Sequence, residues 1–147
     1  MKKIVLSVER GDQGELWGTV NYDDNLLVDN APTIADLENQ MRQLLMDFHD
    51  LQPEKVLFNV EFLVSGLFED KKFLNASEVA KKAKINPSLM RQYVSGNKNP
   101  SLERAKQIEN AIHEIGKELQ TVRIIPKSIK EIAEKKSATS PKRMVKL

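Results

Sequence analysis

Apolar and polar residues alternate along the first part of the chain. Ile4, Leu6 and Val8 stand at every second position, and Leu16, Gly18, Val20 and Tyr22 resume the alternation after the break at Gly11-Asp12-Gln13-Gly14. A period of two puts one set of side chains on one face of a strand, so these runs predict a β-hairpin with an extended turn. The short run Leu26-Leu27-Val28 follows Asp23-Asp24-Asn25 and predicts a third strand, closed by Asp29-Asn30-Ala31-Pro32. The period then changes. Ile34, Leu37, Met41, Leu44, Leu45 and Phe48 are spaced 3, 4, 3, 1 and 3 apart, one face of a helix, and Thr33 with Asp36 has the pattern of an N-terminal capping box. After Pro53, Val56, Phe58, Val60, Phe62 and Val64 alternate without a miss, predicting a strand that runs on towards Phe68. Residues 1–70 are therefore expected to form an α+β unit, a small antiparallel sheet with one helix over one face.

Beyond Glu69-Asp70-Lys71-Lys72 every apolar pattern is helical, which predicts an all-α domain over residues 71–125. Val79, Ala80 and Ala83 form the inner side of a first short helix, with Ser77 or Asn75 able to cap it, and small Ala80 permits a close helix crossing. Asn86-Pro87 starts a second helix, an acceptor at the cap followed by a residue whose missing N–H costs nothing in the first turn. Its inner side is Met90, Tyr93 and Val94, its outer side Ser88, Arg91, Gln92 and Ser95, and Gly96 ends it. A third helix carries Leu102, Ala105, Ile108, Ile112, Ile115, Leu119 and Val122, a heptad-like seam suited either to self-association or to packing on the two short helices. Gly116 inside it costs about 1 kcal/mol relative to alanine, so a bend or a close contact is expected there. Residues 122–125 read as a short strand. After Pro126 seven basic residues face only Glu131 and Glu134, so residues 126–147 read as a mobile basic tail following DNA backbone or a partner.

Charge sharpens this division. The chain of 147 residues has a net charge of +2, yet residues 1–70 hold 5 Lys and Arg against 14 Asp and Glu, a net −9, and residues 71–147 hold 18 against 7, a net +11. A basic half suits a polyanion, because each cation placed near a phosphate releases condensed counterions, while the acidic half is repelled by the same polymer. No apolar run approaches the roughly 18 residues of a membrane span, and Ile4-Val5-Leu6 is too short for a secretory core. With no cysteine, disulfides and thiolate metal sites are excluded, and a cytoplasmic protein is expected.

Residues 76–119 resemble the helix-turn-helix of the lambda-repressor-like (Xre/Cro) family, through Val79, Ala80, Ile85, Met90, Tyr93, Gly96 and the link Asn99-Pro100-Ser101. Where that family has glycine between its two helices this sequence has Lys84. The resemblance implies that the helix from Pro87 lies in the major groove, with Asn86, Ser88, Arg91 and Gln92 at base edges. The residue chemistry agrees: Arg donates two parallel bonds to guanine, and Gln both donates to and accepts from adenine. Ser95, Lys98, Asn99, Ser101 and Arg104 are assigned to phosphate, since the start of the following helix offers free N–H groups and a favourable dipole.

The order hairpin, strand, helix, strand ahead of such a motif resembles the HicB-type antitoxin family, whose N-terminal unit is like a partial ribonuclease H fold; Val8-Glu9-Arg10-Gly11, Gly14 and residues 30–37 carry the likeness. It implies a transcriptional repressor that binds the operator of its own promoter as a homo-oligomer, a dimer or tetramer, and whose acidic domain binds a small basic HicA-type ribonuclease toxin. The alternative is a stand-alone regulator whose N-terminal domain dimerises or senses a ligand. An enzyme is not expected. Glu9, Asp12, Asp23, Asp24 and Asp29 read as turn-forming and solubilising groups rather than metal ligands, His49 and His113 have no ligand-spaced neighbours, and no phosphate loop or dinucleotide fingerprint occurs, so neither cofactor nor metal is expected.

Overall fold

The structure, a computed structural model, describes residues 1–139, with side chains through residue 134. Alternation becomes strand where expected: β1 (Lys2–Arg10), β2 (Leu16–Tyr22) and β3 (Asn25–Ala31) form an antiparallel meander. Gly11 N–H donates to the Glu15 carbonyl at 2.8 Å to close the first turn, with Gly14 at φ +82°. Asp23 and Asp24, at φ 51° and 61°, make the second turn, a two-residue loop in which both positions are left-handed and short polar side chains are tolerated.

The chain then enters α1 (Ile34–His49), capped by Thr33, whose Oγ1 accepts the Asp36 N–H at 3.1 Å. Leu37, Met41 and Leu45, spaced four apart, are fully buried with Leu6, Val8, Leu16 and Val20 of the sheet. Each such burial contributes about 2 kcal/mol. Phe48, placed on the same face by its spacing, is instead exposed. One 3-10 turn, Pro53–Lys55, leads into β4 (Val56–Phe62). The strand order is β3-β2-β1-β4, and β4 runs parallel to β1 from Lys2↔Val56 to Val8↔Phe62. The sheet is therefore mixed, not the antiparallel sheet expected. The cause is α1: a crossover helix returns the chain to the end at which β1 starts, and a strand begun there is parallel to it.

A second departure follows at once. Val64 does not extend the strand; it opens α2 (Val64–Asp70). Leu63 N–H still donates to the Val8 carbonyl at 2.9 Å, and there the ladder ends. Val64, Ser65, Gly66 and Phe68 are buried, and Ser65 Oγ accepts the Arg10 N–H at 3.2 Å. A helix thus occupies the stretch just before Ala76, and residue 70, where charge and period change, is its last residue.

Next come α3 (Ala76–Ala83), α4 (Pro87–Ser95) and α5 (Leu102–Gln120). Along α5 only Ile108 and Ala111 are buried; of the heptad-like seam Ala105, Ile112 and Ile115 are half-buried and Leu102, Leu119 and Val122 are exposed. Gly116 makes no close contact, since a Cβ there meets nothing within 4 Å. No strand forms over residues 122–125. The expected mobile tail contains α6 (Ile129–Thr139), begun by a reciprocal capping box in which Ser128 Oγ accepts the Glu131 N–H at 3.1 Å and Glu131 accepts the Ser128 N–H at 3.3 Å. The rest of that expected segment, residues 140–147, lies outside the described residues. The chain divides into two compact units, residues 1–112 and 113–147, so the boundary expected at residue 70 falls inside the first. Among the described residues no helix is long and apolar enough to cross a membrane.

Two measurements check this account. A Cβ on Gly66 would fall on the Val8 carbonyl oxygen and within 2.9 Å of Glu9 Cα, all backbone that cannot yield, so Gly66→Ala is expected to cost about 2 to 3 kcal/mol in denaturant unfolding. In the first turn, Glu15 accepts the Trp17 Nε1–H at 2.9 Å, and this bond, followed by its backbone hydrogen bond, holds the Glu15 carboxyl below the ordinary glutamate range. A lowered folded-state value means that the contribution is complete above the ordinary range and is lost as pH falls through the lowered value. The indole N–H resonance of Trp17, the sole tryptophan, should shift with a midpoint below the ordinary range, and Glu15→Gln should abolish that titration.

Candidate nucleic-acid interface

Helices α3 and α4 are short, and each is defined at both ends by its own sequence. Asn75 caps α3, its Oδ1 accepting the Glu78 N–H at 3.1 Å. At the other end Lys84 takes the left-handed conformation at φ 59°, and Ile85 N–H donates to the Ala80 carbonyl at 2.9 Å while the Ile85 side chain is buried. The chain therefore makes a glycine-type helix end with a lysine, at a cost of about 1 to 2 kcal/mol for the left-handed residue. Two residues later Asn86 caps α4, its Oδ1 accepting the Ser88 N–H at 2.8 Å, with Pro87 in the first turn. Gly96, at φ 86°, ends α4 and donates to the Tyr93 carbonyl at 3.1 Å.

Val79, Ala80, Ala83, Ile85, Met90 and Tyr93 are buried, and Val94 is half-buried. Of the pair, α4 packs further on α2, and a Cβ on Gly96 would lie 3.7 Å from the Ser65 Cβ. The outer side of α4 is thereby left polar. Ser88 and Arg91 are exposed and joined, Arg91 Nη2 donating to Ser88 Oγ at 3.0 Å, so with the Asn86 cap these three form one hydrogen-bonded group. Gln92 is half-buried; its carbonyl accepts Ser95 Oγ–H at 3.1 Å and the Lys98 N–H at 3.2 Å, a second group. Ser101 caps α5 by accepting the Arg104 N–H at 3.2 Å, a third. Lys98 and Asn99 are exposed between the last two, and Arg104 is half-buried.

The residues chosen from sequence thus divide by availability. Arg91, Lys98 and Asn99 present their side chains to solvent, whereas Asn86, Ser95 and Ser101 already spend an oxygen on helix ends, leaving Asn86 its amide donors. Lys84, which stands where the lambda-repressor-like pattern has glycine and is not among the expected site residues, is exposed in the turn between the two helices. The run Lys81-Lys82-x-Lys84 was the signal for it. Residues 76–105 hold six Lys and Arg against Glu78 and Glu103 alone. A cationic surface with a guanidinium, an amide and hydroxyls on one short helix can neutralise phosphates and make paired hydrogen bonds to base edges.

Compared with known proteins, the chain matches no family model, no curated protein and no solved structure. Among the described residues no three His, Asp or Glu gather into a metal-holding group. Because Asn86 Oδ1 caps α4, Asn86→Ala should lower stability by about 1 kcal/mol, while Asn86→Asp, which keeps the acceptor, should unfold at close to the wild-type denaturant concentration.

Proposed function

We propose that this protein is a sequence-specific DNA-binding transcriptional repressor, acting as the antitoxin of a HicA/HicB-type pair. The carrying observation is α4: a short, doubly capped helix held by a buried inner side, with Arg91 and Ser88 hydrogen-bonded on its exposed side within a strongly basic stretch. In this reading α3–α4 is a helix-turn-helix and α4 enters the major groove. Arg91 and Gln92 read bases, aided by Asn86 and Ser88, and Lys98, Asn99, Ser101 and Arg104 hold phosphate, while Ser95, expected there too, is taken up by Gln92 and Asn97. Helix α2 supports it, filling the place before α3 where the lambda-repressor-like pattern has a helix.

The sheet and α1 take the second role. Residues 1–70 carry net −9, and a cationic ribonuclease is steered to such a surface and masked by complementarity without catalysis. The element order β1-β2-β3-α1-β4 ahead of the helix pair is the order that the HicB resemblance implies.

Fluorescence anisotropy on the DNA upstream of its own gene tests the first role. A salt-sensitive complex is expected, with half-sites about 34 Å apart if two copies bind. Arg91→Ala and Gln92→Ala should each cost about 1 to 3 kcal/mol on the operator and relax base preference, whereas Lys98→Ala should weaken every sequence alike and reduce the salt slope by about one. Equal loss of specificity in all three variants contradicts the role assignment. Co-purification with the small basic product of the adjacent gene tests the second role, and failure to form a complex removes the antitoxin part.

A further inference from the structure

The sheet has two free edges, and they differ. Edge strand β3 carries Asp29 and is led by Asp23 and Asp24, so a second copy of it brought alongside meets like charge. Edge strand β4 carries a single acid, Glu61, and is led by the cation Lys55, so a second copy brought alongside can meet unlike charge. Its sequence Val-Leu-Phe-Asn-Val-Glu-Phe holds no proline and no lysine, and it pairs with β1 at seven consecutive positions without a bulge. Proteins ordinarily blunt a long, regular, apolar edge, because its unpaired N–H and C=O groups are a template for another strand.

The direction of those groups follows from the ladder. Leu63 N–H donates to the Val8 carbonyl, and in a parallel pair alternate residues turn both backbone groups to the neighbour. Odd-numbered residues of β4 therefore face β1, and Val56, Phe58, Val60 and Phe62 face the open edge.

We propose that β4 pairs with β4 of a second copy, antiparallel about a two-fold axis at Phe58, joining two four-stranded sheets into one of eight. Charge selects this register. With Phe58 opposite its own copy, Val56 meets Val60, Leu57 meets Asn59, and Lys55 meets Glu61, so one unlike-charge pair forms at each end of the seam. Lys55 and Glu61 are both exposed, and neither has an ion-pair partner among the described residues. Moving the axis to Asn59 puts Glu61 opposite Leu57 and loses both pairs. On the outer face Leu57 and Val5, 48% and 45% exposed, flank a depression of about 410 Å³ lined also by Lys3 and Asn59, and this register sets the two copies' Leu57 side chains diagonally across the seam. On the inner face Phe58 is already covered by the Arg42 guanidinium at 5.0 Å.

This pairing does not rest on DNA binding: a chain that binds no DNA still pairs through β4, and a monomer that binds DNA contradicts the pairing alone. Sedimentation equilibrium of the full chain up to about 100 μM tests it. The wild type should self-associate. Val60→Pro, which removes an outward N–H and no bond to β1, should abolish that step; Val60 packs partly buried on the core, so the thermal midpoint falls, and retained far-UV circular dichroism shows that the fold persists. Glu61→Lys, an exposed change that leaves the fold intact, should raise the dissociation constant about tenfold, and Lys55→Glu combined with Glu61→Lys should restore it. A wild type that remains monomeric at about 100 μM, or association indifferent to Glu61→Lys, overturns the proposal.

Discussion

The contact on which the first unit depends is the seating of α2 against the end of β1. The Val8 carbonyl accepts the last ladder bond from Leu63 and lies directly beneath Gly66, while Ser65 Oγ takes the Arg10 N–H. On the other side the same Ser65 meets Gly96 at the end of α4. Gly66 thus lets backbone approach backbone on one side of a helix of seven residues, and the small, buried Ser65 lets the end of α4 come close on the other. A side chain at Gly66 would push α2 off the sheet, whereas at Gly96 a Cβ would meet Ser65 at an ordinary 3.7 Å and it is φ 86° that favours glycine. Because α2 is shared, the sheet and the helix pair fold as a single compact unit despite their opposite charge.

That charge separation is arranged rather than averaged away. Where the acidic and basic parts of the sequence meet, Glu69 lies 3.4 Å from Arg10 and 3.2 Å from Lys72, and Asp70 lies 2.8 Å from Lys71. Partly exposed pairs of this kind contribute little stability, usually under about 1 kcal/mol. Their effect is to neutralise Glu69 and Asp70 at the end of α2, so that the cations of α3, α4 and the start of α5 face less competing charge. The proposed anion-binding role of this surface and cation-binding role of the sheet are then compatible within one small unit.

Much of the candidate interface was legible in the residues because its determinants are local. Asn75, Asn86, Gly96 and Ser101 act within four residues of themselves, at helix ends whose unpaired groups they satisfy or whose geometry they permit. Less legible was which of those side chains remain available. Ser101 accepts the Arg104 N–H and keeps its own O–H for a phosphate, whereas the Ser95 hydroxyl both donates to the Gln92 carbonyl and accepts the Asn97 N–H. Lys84 shows the reverse: a missing glycine marked it as an anomaly, and its left-handed backbone keeps the turn while adding a cation.

By itself the sequence determined the first three strands, α1, and the two capped helices α3 and α4, because periodicity and end residues act at short range. It also carried the start of α6 in Ser128 and Glu131, a signal outweighed by the basic composition around it. Tertiary structure alone decided that β4 lies parallel beside β1, since pairing direction depends on where a crossover delivers the chain. It alone decided that Val64 begins a helix. Val64 continues the alternation of β4 and Leu63 offers no side-chain cap, so nothing local marks the change; what accompanies it is tertiary, the room that Gly66 leaves above the Val8 carbonyl and the Arg10 N–H that Ser65 Oγ accepts in place of further ladder.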